Sequence, residues 1–496
     1  MTNRSTPALP ETTETLEKTA VKNRNKKRAI QLSLAGLAIA AVVATPVLGS
    51  AASLSNAPFG IKAVNIDKPS VYAVKPFGKG TGGSGGGSTS PTTPPATTPN
   101  PEPTRAPDES PNTVALTIDT SLVGCSATTS GFSLNVATVN SQDPAKTPLP
   151  VSAGISWGDG SSRTTLAAGT NSHVYKSGKY NLVVDGTLGG FGATSTTAAN
   201  CISRVDHIGE NTGIVTLEEF LKGGTNVSYF AAPPTSLSNG TSMLSGATKF
   251  TGDGVETWVL PNLVQATAMF NGDSKFDGDL SNLNPKSLQV AASMFSTATL
   301  FTGKGLDKWN TSSFTNTRSM FSKADAFNKD IGGWDMSHVT DFSSMFSYMN
   351  SFNQDISRWN VGSGKSFHSM FAGAVAFNQP LDSWNMSSAT SVVQMFMDTG
   401  AFNQDLNSWN MSNVTDMTNM FRSAQKFNGK IDQWKTAKVT NMFYMFWGTP
   451  SFKQDVSKWN VTNVTNWTGF YTNSLLKSSY PSYVPSKFQN STGYSG

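Results

Sequence analysis

Residues 402–421 read FNQDLNSWNMSNVTDMTNMF, and this stretch decides the fold. Trp409 and Met411 lie two positions apart, so both face one side of a short strand. From Val414 to Phe421 the apolar side chains fall within an arc of roughly 120° at helical spacing, which predicts a short helix. The stretch therefore predicts a strand, a turn, a short helix and a return.

The same stretch recurs about every 25 residues. A Met-Phe pair ends at positions 270, 295, 321, 346, 371, 396, 421 and 446, and we place Gly469-Phe470 as its last, altered copy. A second column consists of Trp309, Trp334, Trp359, Trp384, Trp409, Trp434 and Trp459. One unit cannot bury its apolar face alone, whereas stacked units share a continuous core. We predict one ladder of about ten coils from roughly residue 205 to 472, with parallel strands on one face and the Trp column in its core.

This repeat resembles two known patterns. Leu406, Trp409, Met411 and Val414 reproduce the leucine-rich-repeat spacing L-x-x-L-x-L-x-x-N, with Val in the last place. The whole unit resembles the repeat of the BspA family of bacterial surface proteins, which carry leucine-rich-repeat-like ladders and are regarded as adhesins or as host- and matrix-binding proteins. Together with the domain that precedes the repeats, the resemblance covers about residues 113–472, and it implies a leucine-rich-repeat-like solenoid of strand-plus-short-helix coils.

A small β domain precedes the repeats. Short runs that alternate apolar and polar residues predict strands at 115–118, 132–136, 153–156 and 180–184. Trp157-Gly158-Asp159-Gly160, followed by His173-Val174-Tyr175, resembles the PKD domain, an immunoglobulin-like β-sandwich of extracellular proteins. We expect Asp159 to cap a tight turn. The alternative, a calcium ligand, lacks the accompanying carboxylates.

Cys125 and Cys201 are the only cysteines of the chain. In an exported protein two cysteines most simply pair, and we predict a disulfide that joins the first and last parts of the small β domain. Two buried free thiols are the alternative.

The N-terminal residues indicate export. Residues 22–28 are a cationic run, and residues 29–48 carry no charge and are mostly Ala, Leu, Ile and Val. This pattern predicts a signal peptide or a single membrane anchor, and both remain open. We divide the chain into a cytoplasmic leader (1–28), the apolar segment (29–51), an unassigned stretch (52–77), a Gly/Pro/Ser/Thr-rich stalk (78–111), a PKD-like sandwich (112–202), the solenoid (203–476) and a C-terminal tail (477–496).

Charge and composition limit the function. After residue 51 there are 30 basic and 29 acidic residues, which argues against nucleic acid as a partner. None of the four histidines is paired at metal-ligand spacing, and no nucleophile-base-orienter set can be assembled. We therefore predict a non-enzymatic protein without a cofactor or metal.

Two asparagine columns flank the aromatic positions. We expect the column that follows Phe, formed by Asn353, Asn378, Asn403 and Asn428, to build a side-chain ladder on turn backbone groups. The residues around Trp should lie on a concave sheet and bind an extracellular protein or glycan polymer. This predicted binding set consists of Lys308, Asn310, Arg358, Asn360, Asn385, Asn410 and Lys458. A plainly solvated face is the alternative, and a structural envelope protein, in which the ladder is a spacer or self-associates, is the alternative function.

Overall fold

The computed structural model describes residues 110–129, 131–137 and 151–489. The predicted leader and the apolar segment 29–51 lie outside these residues, as do the unassigned stretch and all but the last two residues of the predicted stalk. No helix in the described part of the chain has the length and apolarity that a membrane crossing requires.

Two β-sheets precede the repeats and are called here the two-sheet region (described residues 110–208). The strands are β1 Thr113–Asp119, β2 Phe132–Ala137, β3 Ser152–Ser156, β4 Thr164–Thr165, β5 Gly169–His173, β6 Lys179–Thr187, β7 Gly190–Ala193, β8 Ile202–Ile208 and β9 Tyr229–Phe230. One sheet has the order β4-β3-β6-β1-β8-β9 and the other the order β5-β2-β7. All pairings are antiparallel except β8 with β9. The four strands predicted from alternation are present as β1, β2, β3 and β6.

Strand β8 crosses the boundary that we place between residues 202 and 203. It pairs with β1 on one side and with β9, which belongs to the first coil, on the other. The second sheet also continues into the repeats, because Gly190 of β7 forms a parallel bridge with Thr216. Both sheets are therefore extended by the repeats, and no linker separates the two parts.

The repeats form a stack of coils, called here the ladder (residues 214–473). Single parallel bridges connect each coil to the next through Thr216, Asn239, Gln265, Val290, Asn316, Asp341, Ser366, Ser391, Asp416, Asn441 and Asn466. The strand that we predicted at Trp409 and Met411 is absent, and the bridge lies further along the coil, at Asp416.

The predicted helix from Val414 to Phe421 is also absent. Asn419 and Ser423 adopt left-handed backbone conformations with φ 55° and 57°, and the same two positions are left-handed in every other coil. A residue with positive φ interrupts a right-handed helix. The backbone N–H groups instead bond to the next coil: Phe342, Ser344, Phe346 and Tyr348 donate to the carbonyls of Ser366, His368, Met370 and Ala372 at 2.6–2.9 Å.

Aromatic columns fill the ladder core. Neighbouring rings of the Trp column stack with centroids 5.7–6.5 Å apart and planes within 10° of parallel. Each indole N–H donates to a backbone carbonyl, for example Trp409 Nε1 to Leu381 O at 2.8 Å. Phe421 packs on Phe427 with centroids 4.0 Å apart. The regular Trp interval thus predicts a single column correctly.

The last coil corrects our alignment of the repeat. The bridge from Asn441 to Asn466 keeps the strict 25-residue register, and Phe446 N–H donates to the carbonyl of Phe470. Phe470 therefore occupies the Met position and Tyr471 the Phe position, so the interval of 24 residues that we read from Gly469-Phe470 is wrong.

The residues that we assigned to a C-terminal tail cover the end of the ladder. They form helices α2 Leu475–Ser479 and α3 Ser486–Gln489, with a 3₁₀ turn at Pro481–Tyr483; the other helix, α1, is Thr196–Ala199 in the two-sheet region. Phe488 stacks on Trp467 with centroids 5.4 Å apart, and Lys487 Nζ donates to the carbonyl of Val464 at 2.7 Å. Such a cap shields the apolar face of the last coil.

Candidate binding surfaces

The predicted binding set lies on the surface, and all seven of its residues are exposed. Its asparagines serve the backbone: Oδ1 of Asn310, Asn360, Asn385 and Asn410 accepts the N–H two residues further on, at 3.1 Å in each case. This is an Asx turn, which satisfies a turn donor with a side-chain oxygen. The amide nitrogens and at most one further acceptor site on each oxygen are left for a ligand.

The concave sheet that we predicted for this set is not present. Asn410 lies in a turn region, and the bridge of the same coil is six residues away at Asp416. The charge around Lys308 is also balanced: Lys329 contacts Asp307 at 3.1 Å, and this contact lowers the pKa of the Asp307 carboxyl. The predicted set is therefore a line of exposed turns without a sheet beneath it.

The other asparagine column behaves as predicted. Asn353, Asn378, Asn403 and Asn428 each accept, through Oδ1, the backbone N–H of the residue 25 positions later, at 2.7–3.0 Å. Gln379 and Gln404 add a second donor to the same oxygens. These asparagines connect neighbouring coils and are structural.

In the two-sheet region, Asp159 has the predicted turn role. Its Oδ1 accepts Ser161 N–H at 3.0 Å, and its Oδ2 lies 2.7 Å from His173 Nε2. The bond to Ser161, together with His173, lowers the pKa of this carboxyl. His173 stacks on Trp157 with centroids 4.7 Å apart, so it is a packed strand residue. The described residues contain no group of His, Cys, Asp and Glu that could hold a metal ion.

The two cysteines also meet as predicted. The Cα atoms of Cys125 and Cys201 are 4.7 Å apart, and their sulfur atoms lie at disulfide distance. The pair connects the loop after β1 with the start of β8.

A group of surface aromatics that the repeat does not predict lies near the end of the ladder. The Arg422 cluster consists of Arg422, Phe443, Tyr444 and Trp447, all partly exposed. Phe443 stacks on Tyr444 with centroids 4.0 Å apart, and Tyr444 lies 6.2 Å from Trp447. The Arg422 guanidinium carbon lies 5.1 Å from the Trp447 centroid and 6.0 Å from that of Tyr444, within cation–π range.

These aromatics occupy positions that hold varied residues, none of them Phe, Tyr or Trp, in the preceding coils. The position of Tyr444 is taken by Ser319, Ser344 and Ser369 in three coils and by Gln394 and Asn419 in the next two. That of Trp447 is taken by Ser322, Ser347 and Ala372, and then by Met397 and Arg422. Tyr444 adopts φ 55°, and a bulky residue in this region is strained by about 1–3 kcal/mol. The core columns are complete without these three rings, although the Tyr444 ring packs over Gly469 of the next coil, where a larger residue would not fit.

Unpartnered polar atoms lie in the neighbouring coil. Thr418 Oγ1, Asn419 Oδ1 and Arg422 Nε are enclosed and have no hydrogen-bond partner within the described part of the chain. Asp398 lies close enough to Arg422 to be affected by its charge, although burial raises the pKa of this carboxyl overall. An enclosed polar atom without a partner costs about 1–3 kcal/mol, so three of them in one place are unusual for a purely structural surface. The repeat pattern does not predict this cluster, because Phe, Tyr and Trp do not recur at these three positions in the other coils.

One protein family matches the chain. The family described as Mycoplasma protein of unknown function, DUF285, matches residues 234–330, 301–409 and 390–490. Neither a curated protein nor a solved structure matches the chain. The three matched stretches overlap and together span more than half of the chain, all of it within the ladder and its cap. The chain therefore belongs to the DUF285 family.

Proposed function

We propose that the chain is a non-enzymatic, exported cell-surface protein that binds a host, matrix or neighbour-cell polymer through its ladder. The main supporting observation is the regular stacking of the coils. The buried Trp rings of adjacent coils lie 6.3–6.5 Å apart from Trp309 to Trp434, so side chains on the surface of each coil recur at a regular spacing. An extended polymer can contact several coils at once, and weak linked contacts reinforce one another.

The proposal includes a classification of the fold. The two-sheet region is a PKD-like, immunoglobulin-like sandwich, which the Trp157–His173 stack and the turn at Asp159 support. The ladder is a leucine-rich-repeat-like solenoid of the BspA kind, in which left-handed turns take the place of helices. Residues 29–49 are a signal peptide or the membrane anchor, and the partner is an extracellular protein or glycan.

Adhesion of cells that display the full chain tests the function. Arg358, Asn385 and Asn410 are changed together to Glu; as a matched control, the exposed residues Lys365, Thr390 and Thr415 of the same coils are changed to Glu. Both triple variants make the same change in charge. If the predicted binding set holds the polymer, the first variant loses at least about tenfold in adhesion and the control retains it.

Two results would count against the proposal. Equal adhesion by both variants would remove the predicted binding set from the interface. Wild-type cells that do not adhere to any polymer, together with concentration-dependent self-association of the purified chain in light scattering, would favour the structural envelope protein.

A further inference from the structure

We propose that the Arg422 cluster is a carbohydrate-binding site that takes a neutral pyranose ring of a polysaccharide. The inference rests on the proposed function and deepens it, because it assigns the chemistry of the polymer and a specific place on the ladder. Nothing in the repeat itself requires aromatic rings at positions 443, 444 and 447.

The rings provide the stacking surface. Phe443, Tyr444 and Trp447 are each partly exposed, and the Tyr444 centroid lies 4.0 Å from that of Phe443 and 6.2 Å from that of Trp447. The face of an aromatic ring carries partial negative charge, and the axial C–H groups of a pyranose carry partial positive charge. A flat sugar ring therefore stacks on such a face, as few other neutral, polar molecules do.

The polar atoms provide the hydroxyl partners. Asn419 Oδ1 accepts, Arg422 Nε donates, and Thr418 Oγ1 does both, and all three lack partners among the described residues. Asn419 is 7% exposed, so its oxygen is shielded from bulk water. A vicinal diol offers the same mixture of donors and acceptors. Because the three atoms are enclosed, a sugar reaches them only when a side chain of the cluster moves aside on binding.

Charge distinguishes a neutral sugar from other stacking ligands. The single cation of the cluster, Arg422, lies beside Asp398, so an oligonucleotide backbone gains little here. A proline-rich peptide in an extended helix stacks on aromatics but offers few hydrogen-bonding groups to the three unpartnered atoms.

The experiment uses the full chain, a glycan array and calorimetry with the neutral oligosaccharide that binds best on the array. Trp447→Ser and Tyr444→Ser introduce the residue that other coils hold at these positions, with φ 54–56° at Ser319, Ser344 and Ser369, so the ladder should remain folded. Tyr348→Ser is the control, since Tyr348 is another exposed aromatic with φ 55° outside the cluster. We expect each cluster variant to weaken binding at least tenfold and the control to bind like wild type.

Three results would overturn the inference: cluster variants that bind the sugar as wild type does, wild-type protein that binds no neutral glycan, or wild-type protein that prefers a proline-rich peptide or an oligonucleotide. A failure of this site is distinguishable from failure of the proposed function. If both cluster variants lose sugar binding but cells that display them still adhere, the adhesion surface lies elsewhere on the chain. If cells adhere and both cluster variants still bind the sugar, only the assignment of this site is overturned.

Discussion

The two-sheet region and the ladder pair their backbones over very different distances along the chain. In the two-sheet region, Thr113 of β1 pairs with Asp185 of β6, and Val114 pairs with Ile208 of β8. In the ladder, Asp416 bridges only to Ser391 and Asn441, one coil away on each side. The first part must close long loops before β1 can pair with β6 and β8, whereas the second grows by repeating one short step. Substitutions in the two parts should therefore change the stability of the protein by different amounts.

The largest effect is expected in the ladder core. Phe402 is fully buried and packs on Phe396 with centroids 4.2 Å apart, so Phe402→Ala should reduce the free energy of unfolding by about 3–5 kcal/mol. Asn410→Ala, on the exposed turn of the same coil, should cost well under about 1 kcal/mol. Urea denaturation of both variants measures the difference, and comparable losses would mean that the two faces are reversed.

The next effect concerns the two-sheet region. A bond between Cys125 and Cys201 closes a long loop, and its removal by Cys125→Ala with Cys201→Ala should cost about 2–4 kcal/mol. Because the ladder has no cysteine, the loss should begin in the two-sheet region. Thiol labelling of the unfolded, unreduced exported protein should find no free thiol, and two labelled thiols would contradict the bond.

A smaller effect separates the two asparagine columns. Asn403 accepts the N–H of Asn428 in the next coil at 2.7 Å, so Asn403→Ala removes a bond between coils and should cost about 0.5–1.5 kcal/mol. Asn410→Ala removes only a bond within one exposed turn. Equal melting curves for the two variants would show that the Asn403 column does not join the coils.

The smallest effects concern the pH dependence of stability. One carboxyl group in each part should contribute, and the two contributions should change in opposite directions as the pH rises. Burial raises the pKa of Asp273 in the ladder, so its contribution to stability is complete at low pH and is lost as the pH rises through the raised value. Hydrogen bonds from Ser161 lower the pKa of Asp159 in the two-sheet region, so its contribution is present above the ordinary pKa and is lost in acid. Asp273→Asn should reduce the loss of stability at higher pH. Asp159→Asn should reduce the loss of stability in acid.

These two carboxyl groups are tested by urea denaturation over a range of pH with a probe in each part. A wild-type ladder whose stability is constant above pH 4 would contradict the role of Asp273.

Sequence reasoning succeeded where one side chain does the same task in every coil. The Trp column and the asparagine at 403 repeat their chemistry with their spacing, so their stacking and hydrogen bonding could be anticipated. The left-handed backbone at Ser319 and Lys323 could not, because neither residue type signals positive φ and the conformation is imposed by bonds to the next coil. For the same reason the bridge positions, which are mostly polar, did not stand out as strands.

The candidate site was harder still. The predicted binding set was selected by its period, and the structure shows that the period of its asparagines comes from turn formation. The Arg422 cluster occurs once, and a search for repetition passes over it. In a repeat protein, departures from the period are therefore the better guide to binding residues.

More backbone N–H groups donate from each coil to the next than back to the coil before, as Lys365 does to Thr340, and this imbalance has an electrical consequence. Peptide groups at positions such as 342, 344, 346 and 348 all point their N–H toward the C-terminal end, so their dipoles add along the stack as they do along an α-helix. The C-terminal end of the ladder thus acquires partial positive charge and the end that joins the two-sheet region partial negative charge. Each added coil moves the two partial charges further apart, while the field close to each end changes little with the number of repeats.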